Sequence, residues 1–198
     1  MGSATTRTRA IAALAAALFV SLLSAGARDE KRAIDVHYST LKVSVYKSGL
    51  FSAFGHNHEI AAPIEQGSVS VNPASVEFRV VACKLRVLDP DVSADERAKV
   101  QMTMEGPEVL NCARFAEIRF QSTAVQRVAV GQWTVRGNLT LHGQTHPVSV
   151  AVAQKGGRYR GSASVKQRDF GMTPVSVAGG TVKVKDEVKI EFEIQLAE

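Results

Sequence analysis

The sequence predicts an all-β protein: a single domain built as a closed antiparallel β-barrel of about eight strands, with one helical segment inserted mid-chain. Two observations carry this prediction. From Ile34 onward, apolar and polar residues alternate with a period of two, which is typical of strands with one buried and one exposed face. Only residues 94–104 break this pattern and have the composition of a helix. A closed barrel or a sandwich is favoured over an open sheet, because an open sheet would leave unpaired edges.

The alternation is clearest at the end of the chain. Val188, Ile190 and Phe192 fall on one face, whereas Lys189 and Glu191 fall on the other. The predicted strands cover residues 36–45 with one change of phase, 68–71, 76–80, 118–122, 125–130, 133–141, 147–154, 158–166, 181–185 and 188–196. The predicted turns between them are Gly131-Gln132, His142-Gly143-Gln144, Gly156-Gly157 and Lys185-Asp186-Glu187. A barrel is favoured over a sandwich because an eight-stranded barrel can retain space for one small ligand.

The helical segment has recognisable start and stop signals. Ser93 followed by Glu96 is a capping box, and residues 94–104 contain neither Gly nor Pro. Gly106-Pro107 ends the helix, and Pro107 can begin a second, shorter turn through residues 108–110. We expect this segment to form a lid over the barrel.

The first residues have the three parts of a secretory signal. Arg7 and Arg9 form the basic start, residues 11–23 form an apolar run, and small residues occupy positions 25–27. We therefore expect a signal peptide over residues 1–27, a barrel domain over 28–198, and a periplasmic or secreted protein. The apolar run is shorter than the roughly 20 residues that span a bilayer.

Charge and cysteine content narrow the function classes. The net charge of +5 is modest, and basic and acidic residues are interspersed, so no stripe suited to a phosphate backbone is present and we expect no nucleic-acid partner. Export would expose Cys83 and Cys112 to an oxidising compartment. These two cysteines could form a disulfide or remain two separate buried thiols, and sequence spacing does not decide between them.

Several segments taken together resemble the YceI-like family. Each is a weak signal alone, but their order and spacing match over nearly all of the predicted mature chain: Ile34-Asp35-Val36-His37-Tyr38-Ser39-Thr40-Leu41, the segment 93–120 with its exit Arg114-Phe115-Ala116-Glu117-Ile118-Arg119-Phe120, Gly137-Asn138-Leu139-Thr140-Leu141-His142-Gly143, and Arg168-Asp169-Phe170-Gly171-Met172. The resemblance implies an exported lipocalin-like barrel associated with polyisoprenoid or other lipid binding, and it implies binding rather than catalysis.

The expected ligand is therefore a long apolar molecule such as a polyisoprenoid, an isoprenoid quinone or a fatty acyl chain. Such a ligand needs a dry cavity with a few polar groups at its mouth. The candidate wall residues are Leu50, Phe51, Phe54, Met102, Met104, Val109, Phe115, Trp133, Phe170 and Met172, although an apolar residue taken alone is more often ordinary core. Arg168 and Arg114 are the candidates to meet a phosphate or carboxylate head group.

A second hypothesis uses the histidines. In Gly55-His56-Asn57-His58 the chain is richer in histidine than the common family pattern, and His56 and His58 would share one face of a strand. With a third ligand from His37, Glu59, His142 or His146, they could bind zinc or copper. The alternative is a polar hairpin whose imidazoles only form hydrogen bonds.

Other classes of function find little support. The chain has no nucleophile elbow, no paired-carboxylate pattern and no dinucleotide-binding loop, so we expect no enzymatic activity. The resemblance leaves open a redox-associated role beside a membrane cytochrome, although the sequence contains no haem motif. Transient membrane contact and a homodimer are also left open.

Overall fold

The computed structural model describes residues 31–48, 57–177 and 182–198, and these residues form one antiparallel β-sheet with one α-helix. The predicted signal peptide lies outside the described residues. The strands are β1 Arg32–Ala33, β2 Thr40–Ser48, β3 His58–Ala61, β4 Ile64–Val71, β5 Ala74–Val81, β6 Arg86–Val87, β7 Glu117–Ala129, β8 Gln132–Leu141, β9 Gln144–Lys155, β10 Arg158–Lys166, β11 Ser176–Val177 and β12 Val182–Ile194. The helix α1 spans Ala94–Glu105. The antiparallel all-β class predicted from the alternation is thus confirmed.

The strands follow one continuous path, β1-β4-β5-β7-β8-β9-β10-β12-β2-β3-β6, and β11 pairs with β12. Backbone contacts also join the residues beside β1 to the end of β12. Ile34 forms a bridge with Leu196, Asp35 N donates to Gln195 O at 2.9 Å, and Ala197 N donates to Ala33 O at 2.9 Å. The first strand of the path therefore contacts both β4 and the last residues of the chain.

The sequence predicts breaks between strands at two positions where the structure has one continuous strand. Residues 118–122 and 125–130 belong to one strand, β7, which has a bulge between Ser122 and Ala124. The predicted turn at 185–187 lies inside β12, where the register shifts between Val184 and Val188. A bulge inserts extra residues without ending the ladder, so polar residues can occupy it and imitate a turn in the sequence.

A further correction concerns the start of β2. The change of phase near residue 38 comes from a turn and not from a strand, because the side chain of Asp35 accepts hydrogen bonds from His37 N at 3.0 Å and from Tyr38 N at 3.2 Å. The strand then begins at Thr40. The short strands β3 and β6 carry too few residues to have shown an alternation, and they were not predicted.

The predicted capping box of α1 is present in both directions. Glu96 N donates to Ser93 Oγ, and Ser93 N donates to the carboxylate of Glu96, each at 3.2 Å. The helix is attached through both polar and apolar contacts. The Gln101 amide donates to Leu85 O and accepts from Val87 N, both at 2.8 Å, and Met104 and Val100 pack on the core. Cys83 and Cys112 form a disulfide with a Cα–Cα distance of 5.3 Å, so the structure decides for the disulfide between the two sequence alternatives.

Side chains pack much of the end of the sheet that carries α1, beside a second cavity of about 180 Å³ whose wall includes His146, Val148 and Phe170. Phe170 is 1% exposed, and Met104, Leu110, Met172 and Val80 are also buried there. His142 Nδ1 lies 3.1 Å from Phe170 O, which attaches the β8–β9 turn to the segment after β10. None of the described helices is long and apolar enough to cross a membrane.

Candidate ligand cavity

The inner face of the sheet encloses an apolar cavity of about 270 Å³. Its wall is made of alternating residues from β2, β4, β5 and β7 to β10, and from β12, together with Ile34. No charged side chain lines it among the described residues, and the aromatic part of the wall consists of Phe78, Phe120, Trp133, Tyr159 and Phe192. Such a surface can hold an apolar molecule but cannot solvate a charge.

The alternation seen in the sequence is the direct cause of this lining. In β12, Ile190, Phe192 and Ile194 point into the cavity, whereas Lys189 and Glu191 form an ion pair on the outer face at 2.9 Å. Because successive side chains of a strand point to opposite faces, each such strand contributes one apolar row to the wall.

Two glycines make room for aromatic rings of the wall. An ideal Cβ on Gly137 would lie 2.5 Å from Cζ of Phe120, and one on Gly161 would lie 2.6 Å from Cζ of Phe192. These rings therefore occupy the space above neighbouring strands that a side chain would otherwise take. We infer that the glycines let the two rings lie against the sheet and so leave the centre of the cavity free.

The cavity reaches the surface at the end opposite to α1. Val71, Ala74 and Ser75 lie at the β4–β5 turn, and all three line the cavity while being exposed, Val71 to 64%. Trp133 and Tyr159, which also line it, follow directly after the β7–β8 and β9–β10 turns, with ring centroids 5.8 Å apart. We call this end, formed by the three hairpin turns, the mouth.

The predicted wall residues separate into four groups. Trp133 lines the cavity. Met104, Phe170 and Met172 are buried, and Val109 and Phe115 are half-buried, but all five lie at the α1 end and none lines the cavity. Met102 is 72% exposed. Leu50, Phe51 and Phe54 lie outside the described residues.

The arginines predicted to meet a head group are also at the α1 end. Arg114 is exposed, with its guanidinium carbon 5.1 Å from the centroid of the Phe115 ring. Arg168 is exposed, and its backbone N–H donates to the carboxylate of Asp186. Neither arginine lies in a strand, so the alternation could not assign either of them to an end of the sheet.

Of the two histidines predicted to bind a metal, the structure describes only His58, and His56 lies outside the described residues. His58 Nδ1 lies 2.6 Å from a carboxylate oxygen of Asp89, which is 4% exposed and whose other oxygen accepts from Glu59 N at 2.8 Å. In the described ranges no three His, Cys, Asp or Glu side chains are grouped so that they could hold a metal ion. Asp89 was missed by sequence reasoning, and its only signal was a lone carboxylate between Leu88 and Pro90.

Ion pairs surround the mouth on the outer face of the sheet. The Arg160 guanidinium, followed by that of Arg158, holds the pKa of Glu193 below its usual range through hydrogen bonds of 2.6 and 2.7 Å. At the β1 side, Lys31 lies 2.7 Å from Glu77 and lowers the pKa of that carboxyl in the same way. These cations are thus neutralised by carboxylates next to them.

Fold and cavity together define a class: an antiparallel β-sheet protein whose inner face lines an apolar cavity that reaches the surface. The model of the YceI-like domain matches residues 29–196. The chain belongs to the YceI-like family, as the sequence resemblance predicted.

Individual relatives agree with this assignment. A UPF0312 protein of Vibrio cholerae is 26% identical over 136 residues, which cover 63% of this chain and 68% of that protein. A UPF0312 protein of Shewanella oneidensis is 32% identical over 102 residues, covering 46% of this chain and 53% of that one. Among solved structures, BcnA of Burkholderia cenocepacia superposes with a TM-score of 0.58 at 20% identity, covering 83% of this chain and 99% of that chain, which supports the fold.

Proposed function

We propose that this protein is an exported, non-catalytic binding protein that holds a long apolar molecule in the cavity. One observation carries the proposal: a continuous apolar wall without a charged residue, reaching the surface at the mouth. An empty internal cavity lowers the stability of the fold, so a cavity of this size favours a ligand that occupies it. A cavity lined in this way and open at one end is suited to take up an apolar chain.

We further propose that the sheet closes into the eight-stranded ring predicted from the sequence. The members would be β1 continued by β2, then β4, β5, β7, β8, β9, β10 and β12. The pairing of β2 with β12 and the hydrogen bonds of Asp35 and Ala197 would close the ring. Closure would shield the cargo from water on all sides except the mouth. Slow hydrogen exchange at the Asp35 and Ala197 amides would support closure, and exchange as fast as in a frayed terminus would contradict it.

The size of the cavity favours a narrow cargo. Its volume lies just below the roughly 300 to 1,000 Å³ of typical ligand pockets, so a single chain suits it better than a bulky ring system. Each buried CH₂ group contributes about 0.8 kcal/mol, so ten carbons suffice for firm binding without polar contacts. A polyisoprenoid, the tail of an isoprenoid quinone and a fatty acyl chain all meet this description.

Trp133 provides the experiment, because it is the only tryptophan of the chain and lines the cavity. The mature protein, purified without detergent and stripped of lipid, is titrated with bromododecanoic acid while tryptophan emission is recorded. We expect saturable quenching, since bromine would enter within contact distance of the indole. Organic extraction of the protein before stripping, followed by mass spectrometry, should release a stoichiometric apolar compound. An empty extract combined with unquenched emission would contradict the proposal.

Export has its own test. Sequencing the N-terminus of the protein recovered from the periplasm or medium should show Arg28 as the first residue. Recovery of the full-length chain from the cytoplasm alone would contradict export, and it would leave the binding proposal unchanged.

A further inference from the structure

We infer that the mouth binds an anionic head group, a carboxylate or a phosphate, through Arg32 and Arg127, so that the cargo is an anionic amphiphile. This inference rests on the proposed function and names the class of ligand for the same cavity. It is carried by the positions of two arginines at the mouth and by their lack of acidic partners.

Arg127 lies on the cavity side of β7. In the β7–β8 pair, Val125 is opposite Val135, and both line the cavity. Two residues closer to the mouth, Arg127 is opposite Trp133, which also lines the cavity. Directly opposed residues of an antiparallel pair share one face, so Arg127 continues the inner row at the point where it reaches solvent.

Arg32 occupies the equivalent position on β1. It is opposite Val69, and Ile34 follows it two residues later on the same face; both of these residues line the cavity. Arg32 is exposed, as Arg127 is. Three strand spacings separate β1 from β7 along the sheet, about 14 Å, which places the two cations on different sides of the mouth.

These two arginines differ from the other cations of the mouth in their partners or in the face they occupy. Lys155, next to the β9–β10 turn, lies three residues from the wall residue Val152 and therefore on the outer face. Arg158, Arg160 and Lys31 are paired with carboxylates. Within the described part of the chain, Arg32 donates only to Ala197 O at 2.7 Å, and Arg127 only to Ala129 O at 3.3 Å. A guanidinium has five N–H donors, so each keeps most of its donors and its full charge for a ligand.

The cavity wall requires an ionised head group to stay at the mouth. Because the wall carries no charged side chain among the described residues, pulling a carboxylate or phosphate inside would remove its hydration without replacing it. The tail can enter while the head remains beside the two guanidinium groups, which form charge-assisted hydrogen bonds with such anions. A neutral hydrocarbon would gain nothing from this arrangement.

The experiment compares three probes with the same tail: dodecanoate, dodecyl phosphate and dodecanol. Each displaces bromododecanoic acid from the delipidated mature protein, with recovery of Trp133 emission as the signal. In the wild type we expect the two anions to bind roughly tenfold more tightly than the alcohol at low salt. In an Arg32→Gln, Arg127→Gln double variant we expect this preference to disappear, while the affinity for dodecanol stays within about twofold of the wild type.

Arg136→Gln is the matched control, because Arg136 is exposed on β8 next to Val135 but points to the outer face. It should keep the wild-type preference for anions. If the double variant retains that preference, or if dodecanol binds the wild type as tightly as both anions do, the inference is overturned while the carrier function stands. If no probe binds, the proposed function itself fails. Loss of preference for only one of the two anions supports the inference and identifies the head group.

Discussion

Removal of the disulfide should lower stability without impairing binding, because Cys83 and Cys112 lie at the α1 end and the mouth lies at the other. The pair joins the segment after β5 to the segment after α1, with a sequence separation of 29 residues. The perturbation is the double substitution Cys83→Ala, Cys112→Ala, which leaves no thiol in the chain.

The magnitude follows from the length of the loop that the disulfide closes. In the chain-entropy description, a loop of this size removes about 12 cal/mol/K from the unfolded state, which corresponds to about 3.6 kcal/mol at 25 °C. For a domain of this size the melting temperature should fall by roughly 7 to 14 °C. Strain or residual structure in the unfolded chain would make the measured loss smaller.

The assay is urea unfolding of the oxidised wild type and of the variant, combined with quenching of Trp133 by bromododecanoic acid. Reducing agent should lower the stability of the wild type toward that of the variant and leave the variant unchanged. The binding curve of the folded variant should match that of the wild type. Loss of binding with retained folding would refute the assignment of the mouth to the hairpin end, and unchanged stability would refute the role of the disulfide.

Three further substitutions test other parts of the structure. Ala163→Phe adds a ring to a wall position in β10, so it should block the cavity and abolish quenching of Trp133 by the brominated acid. Because the ring enters existing space, urea unfolding should show a stability loss below about 2 kcal/mol. Asp89→Ala leaves the His58 ring without its buried acceptor and should cost about 2 to 3 kcal/mol, with Asp89→Asn costing less, in the same unfolding assay. Glu193 has a pKa lowered by Arg160, so its stabilising effect is present above the ordinary carboxyl value of 4.5 and is lost as the pH falls below it. The stability difference between wild type and Glu193→Gln should therefore be measurable at pH 7 and vanish in acid; a constant difference would contradict this reasoning.

The sequence predicted the parts of the fold that depend on local chemistry. Alternation identified the rows that face inward, such as Ile190 and Phe192, and the Ser93–Glu96 box identified the start of the helix. Glycines with positive φ marked the hairpin turns, as Gly131 and Gly143 do. Each of these features depends on residues that are neighbours in the chain, so it can be predicted from the sequence alone.

The sequence predicted α1 to be a lid and thus the opening to lie beside it, whereas the exposed residues that line the cavity lie at the opposite end. Phe170 and Trp133 both carry large apolar side chains, yet Phe170 fills the α1 end and Trp133 lines the cavity. The difference arises from where each lies along its strand or turn, and periodicity is the same at both ends. Met102 was predicted to face a ligand. In the structure, its neighbour Gln101 points toward the sheet and contacts Leu85 O, and Met102 is exposed.

The segments that carry the family resemblance lie largely where the fold is held together and not where the cargo would enter. The Phe115 ring lies so close to Gly143 that a Cβ there would be 2.6 Å from it. The same ring packs against His142 with centroids 4.4 Å apart, and His142 in turn contacts Phe170 O. Three of the resembling segments thus contact one another at the α1 end, so the resemblance reflects residues that stabilise the fold. The mouth, in contrast, is built from hairpin turns and from Arg32 and Arg127, which belong to none of the resembling segments. Membership of the family therefore accounts for the fold of this chain, whereas the chemistry of the proposed ligand depends on the residues of the mouth.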